Sequence, residues 1–338
     1  MDLATTLGPL RLPAPVLTAS GCAAAGRELA QFFDIAELGA VVTKSIMMAP
    51  RAGRATPRMA ETPSGMLNSI GLQGPGVEEF LGHDLPWLAE RGVRTVVSIA
   101  GGSVEEFALL TRRLRGAPGM VALEVNISCP NVADRGLVFA CRAGSAAEVI
   151  AAVRREAPRD LPVLAKLSPD VTDIVEIAQA VVEAGANGLS MINTLLGMVI
   201  DVDRAAPVLA GVTGGLSGPA IRPVAVRCIW QVHAAMPHVP ILGMGGVRSG
   251  RDALELVLAG ASAVAVGTAT FGDPSAPLRV QDELRHELAV RGFASLADAV
   301  GLAHRRGARV SGAVGAHVAV ERDESGRDGA PDTRDEAR

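Results

Sequence analysis

The residue of this 338-residue chain best suited to chemistry is a cysteine between two asparagines. The segment Asn126-Ile-Ser-Cys-Pro-Asn131 follows a run of apolar residues and carries Cys129. A lone buried cysteine usually behaves as a small hydrophobic residue. Here the thiol lies between two carboxamides and before a proline, an arrangement that suits removal of a proton from a small hydrogen-bonding substrate. We therefore predict that Cys129 is catalytic.

Other polar side chains follow apolar runs elsewhere in the chain. Lys44 and Lys166 each end such a run, and Asn193 with Thr194 follows another. A buried ammonium group is costly unless a partner compensates it. Each lysine alone could be a surface residue with a buried stem. Both lysines together with the amides favour a functional site.

Eight short apolar runs supply the elements that would position these residues. The runs are rich in Val and Ile, bounded by Gly, Pro or Ser, and too short for typical helices, which predicts buried strands. Segments of helical periodicity lie between most of them, which indicates a parallel sheet covered by helices. Eight such units predict an α/β fold, the closed (β/α)8 TIM barrel. The predicted strands lie in Val16–Gly21, Ala40–Ile46, Thr95–Gly101, Ala122–Pro130, Pro162–Pro169, Gly188–Thr194, Pro240–Gly246 and Ala263–Ala269.

Local signals refine this architecture. Capping boxes predict helix starts at Ser103 with Glu106, Ser145 with Glu148, and Ser249 with Asp252. An open doubly wound sheet is the main alternative, and it usually has a GxGxxG turn after its first strand. The first strand here leads into Ala19-Ser20-Gly21-Cys22 instead, which favours the barrel.

Three segments lie outside the repeat. Residues 1–15 predict an N-terminal hairpin that plugs the barrel. Residues 195–218 form a long glycine-rich connection without periodicity of its own, which is typical of a lid or a phosphate clamp. Residues 321–338 hold 11 charged side chains and no large apolar one, a composition typical of disorder. We predict a barrel domain over 1–312 and a flexible charged tail over 313–338.

Composition excludes several classes of function. Apolar residues make up 49% of the chain and charged residues 20%, with a net charge of −4. No basic stripe is present for binding along a nucleic acid, and no apolar stretch is long enough for a membrane span. The acidic start, Met1-Asp2, lacks a basic signal-peptide region. We therefore expect a cytoplasmic protein that binds neither nucleic acid nor membrane.

The four cysteines do not form a metal motif. Cys22, Cys129, Cys141 and Cys228 contain no CxxC pair, so neither zinc nor an iron–sulfur cluster is predicted. Cys141 and Cys228 are predicted to be inert. For Cys22, which also follows a strand, an inert and a functional role remain equally open.

Glycine turns end the last two predicted strands. Gly243-Met-Gly-Gly246 follows the seventh strand and Gly267-Thr268 the eighth. These are the positions at which barrels of this type bind phosphate through backbone N–H groups. The glycines could merely form tight turns, but their occurrence at both positions favours a phosphate site.

Several motifs resemble those of class 1 dihydroorotate dehydrogenases, and they occur in the same order between about residues 5 and 310. The family is an FMN-containing barrel that oxidises dihydroorotate to orotate in pyrimidine synthesis. The matching segments are Asn126-Ile-Ser-Cys-Pro-Asn131, Asn68-Ser-Ile-Gly-Leu72, Lys166-Leu-Ser-Pro169, Asn193-Thr194 with Gly197-Met-Val-Ile-Asp201, and Gly214-Gly-Leu-Ser-Gly-Pro-Ala220.

The resemblance implies roles for these residues. Cys129 would be the base that removes the C5 proton of dihydroorotate while hydride leaves C6 for flavin N5. Lys166 would lie near the flavin N1–C2 edge, where a cation stabilises the charge of the reduced ring. Lys44 would be catalytic and would also hold the substrate. The implied substrate-binding residues are Lys44, Asn68, Ser69, Ile70, Gly71, Leu72, Asn126, Asn131, Asn193 and Thr194. The implied FMN-binding residues are Ser20, Lys44, Ser45, Ser98, Asn126, Lys166, Ile192, Gly218, Gly245, Gly246, Gly267 and Thr268.

The stretch Asn131-Val-Ala-Asp-Arg-Gly-Leu-Val-Phe139 is most similar to the NAD-linked subtype B. That subtype implies a barrel homodimer with an electron-transfer subunit that carries FAD and a 2Fe-2S cluster. Two positions depart from the family pattern, because Ser98 and Gly74 stand where the family usually has Asn. The alternatives are a dihydropyrimidine dehydrogenase-like flavoprotein, a flavin-binding barrel without turnover, and dihydrouridine synthesis on tRNA, which the lack of a basic face disfavours.

Overall fold

The computed structural model of the chain describes residues 2–127 and 142–305. Within them, the strands in chain order are β1 (Thr5–Leu7), β2 (Leu10–Leu12), β3 (Val16–Thr18), β4 (Val41–Val42), β5 (Met59–Thr62), β6 (Gly65–Asn68), β7 (Thr95–Ile99), β8 (Met120–Asn126), β9 (Val163–Leu167), β10 (Gly188–Met191), β11 (Leu195–Gly197), β12 (Ile200–Asp201), β13 (Ala206–Pro207), β14 (Gly214–Ser217), β15 (Ile241–Met244) and β16 (Ala263–Val266). The helices are α1 (Val77–Glu79), α2 (Leu85–Glu90), α3 (Val104–Leu114), α4 (Ala143–Glu156), α5 (Ile174–Glu183), α6 (Arg222–Ala235), α7 (Gly250–Ala259), α8 (Ala276–Val290) and α9 (Leu296–Ala299).

Eight parallel strands close into the predicted barrel. Around the ring they follow the order β3, β4, β7, β8, β9, β10, β15 and β16. A parallel bridge between Leu17 and Ala40 joins β3 to the residue before β4 and closes the ring. Seven of the eight predicted runs contain one of these strands, and the run Ala122–Pro130 overlaps β8, which begins earlier at Met120. The (β/α)8 barrel is therefore confirmed and the open doubly wound sheet is excluded.

The N-terminal hairpin fills the barrel from below, as predicted. β1 and β2 pair antiparallel, with Leu7 opposite Leu10. Leu7 and Leu12 are almost fully buried and pack in one cluster with Leu17, Leu164 and Leu242 from the barrel interior. A second and larger apolar cluster fills the space between the barrel strands and the surrounding helices. The carboxyl ends of the strands, at the opposite end of the barrel from the hairpin, remain available for a functional site.

Side-chain caps set two of the predicted helix starts. Ser103 Oγ accepts a hydrogen bond from Glu106 N at 3.2 Å, and Ser249 Oγ accepts one from Asp252 N at 3.2 Å. The prediction at Ser145 is wrong, because α4 begins two residues earlier at Ala143. Ala143 and Gly144 are already helical before the serine, and Arg142 is the N-cap residue without a side-chain cap. None of the helices described in the structure is both long and apolar enough to cross a lipid bilayer.

The glycine-rich connection 195–218 is more ordered than predicted. It contains β11 to β14, and β11 and β14 join β5 and β6 in an antiparallel sheet of order β11-β14-β6-β5. β12 and β13 form a separate small hairpin. These strands have two to four residues each, too few to show a period. The partner that β14 finds in β6 is distant in sequence.

The barrel belongs to one compact unit that ends at Leu302. The predicted domain boundary at residue 312 and the predicted tail over 313–338 lie outside the described residues.

Candidate active site

A cavity of about 510 Å³ opens at the carboxyl ends of the barrel strands. Its wall brings together most of the residues that the sequence singles out, although they come from strands far apart along the chain. The predicted site residues that line it are Ser20, Lys44, Ser45, Asn68, Ile70, Gly71, Leu72, Asn126, Lys166, Ile192, Asn193, Thr194, Gly218, Gly245, Gly246, Gly267 and Thr268.

Two predicted site residues that the structure describes, Ser69 and Ser98, do not line this wall. Cys129 and Asn131 lie outside the described residues. Ser69 is fully buried, and its Oγ accepts a hydrogen bond from Arg54 Nη1 at 3.4 Å. Ser98 is also fully buried and lies behind Ser45, with 2.9 Å between the two hydroxyl oxygens.

The position of Ser98 follows from strand register. On β7 it lies opposite Glu124 of β8, whereas Asn126 lies opposite Lys166 of β9. Ser98 therefore points into the barrel one layer below the asparagine. The prediction that it contacts FMN is not supported by this placement, because a short hydroxyl at that depth meets Ser45 before it meets the cavity.

Lys166 is the buried cation of the site. Its Nζ donates to Ser20 Oγ at 3.3 Å and approaches Met244 Sδ at 2.9 Å. The carboxylate of Glu124 lies 3.7 Å from the same nitrogen, and both side chains are almost completely buried. These contacts hold the ammonium group at the cavity wall.

A chain of hydrogen bonds connects residues on or just after four barrel strands, β10, β8, β4 and β7. Asn193 Nδ2 donates to Asn126 Oδ1 at 3.4 Å, and Asn126 Nδ2 donates to Ser45 Oγ at 3.0 Å. The Ser45 hydroxyl contacts that of Ser98, which donates to Glu124 Oε1 at 3.1 Å. The two asparagine amides at the cavity are thus connected to a buried carboxylate.

Lys44 stands between two cavities. A second cavity of about 470 Å³ lies beside the first and shares Lys44, Ser45 and Leu72 with it. The Lys44 backbone N donates to Ala24 O at 2.8 Å, which fixes this residue to the loop after β3. The side chain is half-buried, so its charge is only partly screened by solvent.

The glycine turns at the other end of the cavity have the backbone that an anion site requires. Gly245 and Gly246 have φ values of +126° and +76°, in the region that favours glycine. A Cβ on Gly246 would lie 2.7 Å from Arg222 Cβ and 2.9 Å from Gly218 O. This turn leads directly into α7, whose N-terminus begins at Gly250.

The small sheet is bonded to both ends of the cavity. Asn68 Nδ2 donates to Gly215 O of β14 at 3.2 Å. At the other end, Thr268 Oγ1 donates to Ser217 Oγ of the same strand at 2.8 Å. β14 therefore contacts both the amide-lined end and the glycine-turn end.

The thiol of Cys22 lines the cavity but is a poor base. Burial raises the pKa of this thiol to about 11, although Lys166 and Lys44 act to lower it. A thiol with that pKa stays protonated near pH 7. Cys22 is therefore unsuited to accept a proton from a substrate at that pH.

Sequence reasoning missed Glu124, Met244 and Ser217. The available signal for Glu124 is its position two residues before Asn126, since alternate residues of a strand share a face. An acid within the apolar run of β8 requires a buried partner, and Lys166 is that partner. Among residues 2–127 and 142–305, no group of three or more His, Cys, Asp and Glu side chains could hold a metal ion.

Known proteins resemble the chain along most of its length. The family model described as dihydroorotate dehydrogenase matches residues 2–288. A curated relative from Desulforudis audaxviator, "Dihydroorotate dehydrogenase B (NAD(+)), catalytic subunit", is 52% identical over 304 residues, which is 90% of this chain and 98% of the relative. Proteins of the same name from Desulforamulus reducens and Geobacillus sp. are 49% and 48% identical, with 90% and 91% of this chain and 99% and 97% of the relatives covered. The chain therefore belongs to the dihydroorotate dehydrogenase family, as its motifs predict, and it is similar to catalytic subunits of the NAD-linked type.

Proposed function

We propose that this chain oxidises (S)-dihydroorotate to orotate with FMN, as the catalytic subunit of an NAD-linked enzyme of de novo pyrimidine (UMP) biosynthesis. The observation that carries the proposal is the convergence of two lysines and three asparagines on one barrel cavity, in a chain about half identical to relatives of that name. Dihydroorotate carries one carboxylate and a ring of amide groups, so its recognition requires a cation and several donors and acceptors.

The residues of the cavity fit FMN. Its volume of about 510 Å³ lies within the range of roughly 300–1,000 Å³ that is usual for cofactor sites. The turns at Gly245-Gly246 and Gly267-Thr268 would hold the phosphate, and Ser20, Ser45 and Ile192 would contact the remainder. Bound FMN would supply a hydride acceptor. Lys166 would stabilise the negative charge of the reduced ring, because a preorganised cation in a dry site acts strongly on developing charge.

The substrate would occupy the amide-lined end. Lys44 would bind the carboxylate, and the segment Asn68–Leu72 would contact the ring. Asn126, Asn193 and Thr194 would donate or accept hydrogen bonds at the ring amides. The hydrogen bonds that already orient Asn126 and Asn193 reduce the entropy lost on binding.

Cys129 is the proposed base for the C5 proton. Two residues separate it from Asn126, whose side chain reaches the cavity from the end of β8. Asn131 would assist substrate binding from the same segment. Cys22, the thiol that lines the cavity, is protonated at neutral pH because its pKa is about 11, so it does not compete for this role.

The electrons would leave through a partner. The relatives are named catalytic subunits of an NAD(+) enzyme, and that name supports a separate electron-transfer subunit. We propose that this subunit carries FAD and a 2Fe-2S cluster, that the barrel forms a homodimer, and that the assembly is cytoplasmic.

Anaerobic titration of the purified protein tests the reaction. Dihydroorotate should bleach the flavin absorbance of the wild type, and Cys129→Ala should slow the bleaching by about 10²-fold or more, since general base catalysis contributes roughly that factor. Cys228→Ala, which removes a buried thiol of α6, should behave as the wild type.

Two results would contradict the proposal. A purified protein that contains no flavin would exclude the cofactor, and full-rate bleaching of Cys129→Ala would exclude the base. Dihydrouracil, which lacks the carboxylate, should bleach the wild type far more slowly than dihydroorotate. Faster bleaching by dihydrouracil would instead favour the dihydropyrimidine dehydrogenase-like activity.

A further inference from the structure

We infer that Glu124 is a positioning residue that acts through two branches, fixing the Lys166 ammonium group directly and the Asn126 amide through Ser98 and Ser45. The inference rests on the proposed function for the identity of the ligands. The placement of the five side chains does not depend on it.

The first branch is an ion pair sealed inside the barrel. Glu124 is fully buried, and its Oε2 has no hydrogen-bond partner among the described residues. The nearest cation is the Lys166 ammonium group at 3.7 Å. A carboxylate removed from water requires a counter-charge, and Lys166 supplies it. In return, the carboxylate restrains the lysine and offsets part of its positive charge at the cavity.

The second branch has a fixed direction. A carboxylate only accepts hydrogen bonds, so the Ser98 hydroxyl donates to Glu124 Oε1. The Ser98 oxygen then accepts from the Ser45 hydroxyl at 2.9 Å. The Ser45 oxygen in turn accepts from Asn126 Nδ2 at 3.0 Å. Each hydroxyl donates once and accepts once, and the carboxylate is the terminal acceptor.

This direction determines which atom of the Asn126 side-chain amide donates and which accepts a hydrogen bond. With Nδ2 of Asn126 turned toward Ser45, its Oδ1 accepts from Asn193 Nδ2 at 3.4 Å. Asn193 Oδ1 accepts from Thr194 N at 2.9 Å. An amide side chain can otherwise reverse its donor and acceptor ends. The buried carboxylate therefore selects the orientation of the Asn126 amide from one side, and the Thr194 N–H selects that of Asn193 from the other.

The two branches make separable predictions. Without the negative charge of Glu124, the positive charge of Lys166 is no longer offset, so a reduced and negatively charged flavin is stabilised and its midpoint potential rises. Without the Ser98 hydroxyl, the ion pair survives but the link that orients the Asn126 amide through Ser45 is broken. Orotate should then bind more weakly while the potential stays unchanged.

The experiment compares four flavin-containing proteins: the wild type, Glu124→Gln, Ser98→Ala and Glu148→Gln. Orotate affinity is measured from the change in flavin absorbance, and the midpoint potential is measured by equilibration with a reference dye. Glu124→Gln should raise the midpoint potential of the flavin. The same variant should weaken orotate binding by about tenfold, because a hydrogen bond to a charged acceptor is lost. Ser98→Ala should weaken orotate binding by about 3- to 10-fold, the effect of one lost hydrogen bond. Glu148→Gln, which alters an exposed acid of α4, should change neither quantity.

Opposite results would overturn the inference. An unchanged potential in Glu124→Gln removes the first branch, and unchanged orotate affinity in Ser98→Ala removes the second. If Glu124→Gln yields no folded protein, Ser98→Ala decides whether Glu124 acts through the amides. Reduction of the wild type by dihydroorotate is recorded separately, so a failure of the proposed function is distinguishable from a failure of either branch.

Discussion

At the scale of single residues, burial decides what each ionisable side chain of the site can do. Lys166 has the carboxylate of Glu124 3.7 Å away inside the barrel, whereas Cys22 keeps its proton near neutral pH because burial raises the pKa of its thiol to about 11. Lys166 thus has a counter-charge beside it, and Cys22 is a neutral part of the cavity wall.

The raised pKa of Cys22 predicts a stability change at high pH. The folded-state pKa of about 11 exceeds the ordinary value of 9.0, so between these pH values the folded protein holds a proton that the unfolded chain has lost. The free energy of unfolding should therefore fall as the pH rises from 9 to 11, by on the order of 1–2 kcal/mol more than in Cys22→Ala. Urea titrations at several pH values measure this difference, and parallel pH curves for the two proteins would contradict it.

The Glu124–Lys166 pair predicts a coupled loss of stability. Lys166→Met leaves a buried carboxylate without its counter-charge and should destabilise the flavin-free protein by about 3–5 kcal/mol. Adding Glu124→Gln to Lys166→Met should restore part of that loss, because the unpaired charge is then gone. Urea unfolding of both single variants and the double variant gives the coupling energy. Simple additivity of the two losses would show that the side chains do not interact.

At the scale of elements, the turn after β15 packs closely against the start of α6 and the loop before it. Gly246 needs a positive φ, and its Cα approaches Arg222 and the Gly218 carbonyl too closely for a side chain. Both turns line the glycine end of the cavity. Both the backbone conformation and the tight packing therefore favour glycine at position 246.

Gly246→Ala should therefore cost more than a positive φ alone. We expect destabilisation of about 2–4 kcal/mol, from left-handed backbone strain together with overpacking, and loss of bound flavin. Gly92→Ala is the matched control, because Gly92 has a φ of +67° but open space where a Cβ would lie. That variant should lose only about 1–2 kcal/mol and keep its flavin. Urea unfolding and the ratio of flavin to protein measure both effects, and equal losses would refute the packing contribution.

At the scale of the whole molecule, the N-terminal hairpin completes the inner core of the barrel. Leu7→Ala should cost about 2–4 kcal/mol, because it leaves a cavity among fully buried residues. Thr6→Ala alters the exposed neighbouring residue and should cost less than about 0.5 kcal/mol. Chemical denaturation distinguishes the two variants. A small effect of Leu7→Ala would mean that the barrel does not need its plug.

The architecture could be predicted because its signals are local and repeated. Eight apolar runs bounded by turn residues suffice to indicate a barrel, and the order of the runs then places Lys44, Asn126 and Lys166 at one mouth. The depth of each side chain could not be predicted, because it depends on the register between strands. Ser98 was placed at the cavity, but it lies level with Glu124, one layer below Asn126.

The small sheet illustrates a different limit of prediction. Its strands pair across long sequence distances, as Asn68 does with Gly215, and none is long enough to show alternation. Sequence reasoning misses Glu124 for a related reason. An isolated acid in an apolar run indicates a role only when its partner on the next strand is known. In both cases the sequence alone does not indicate a pairing between residues of different elements that are distant along the chain.

The position of β14 has a thermodynamic consequence for ligand binding. This one short strand accepts a hydrogen bond from Asn68 at the amide-lined end, and through Ser217 it accepts another from Thr268 at the glycine turns. A ligand that orders either end also orders the strand on which the other end depends. We therefore expect cofactor and orotate to bind with positive cooperativity, and by linkage each must increase the affinity of the other by the same factor.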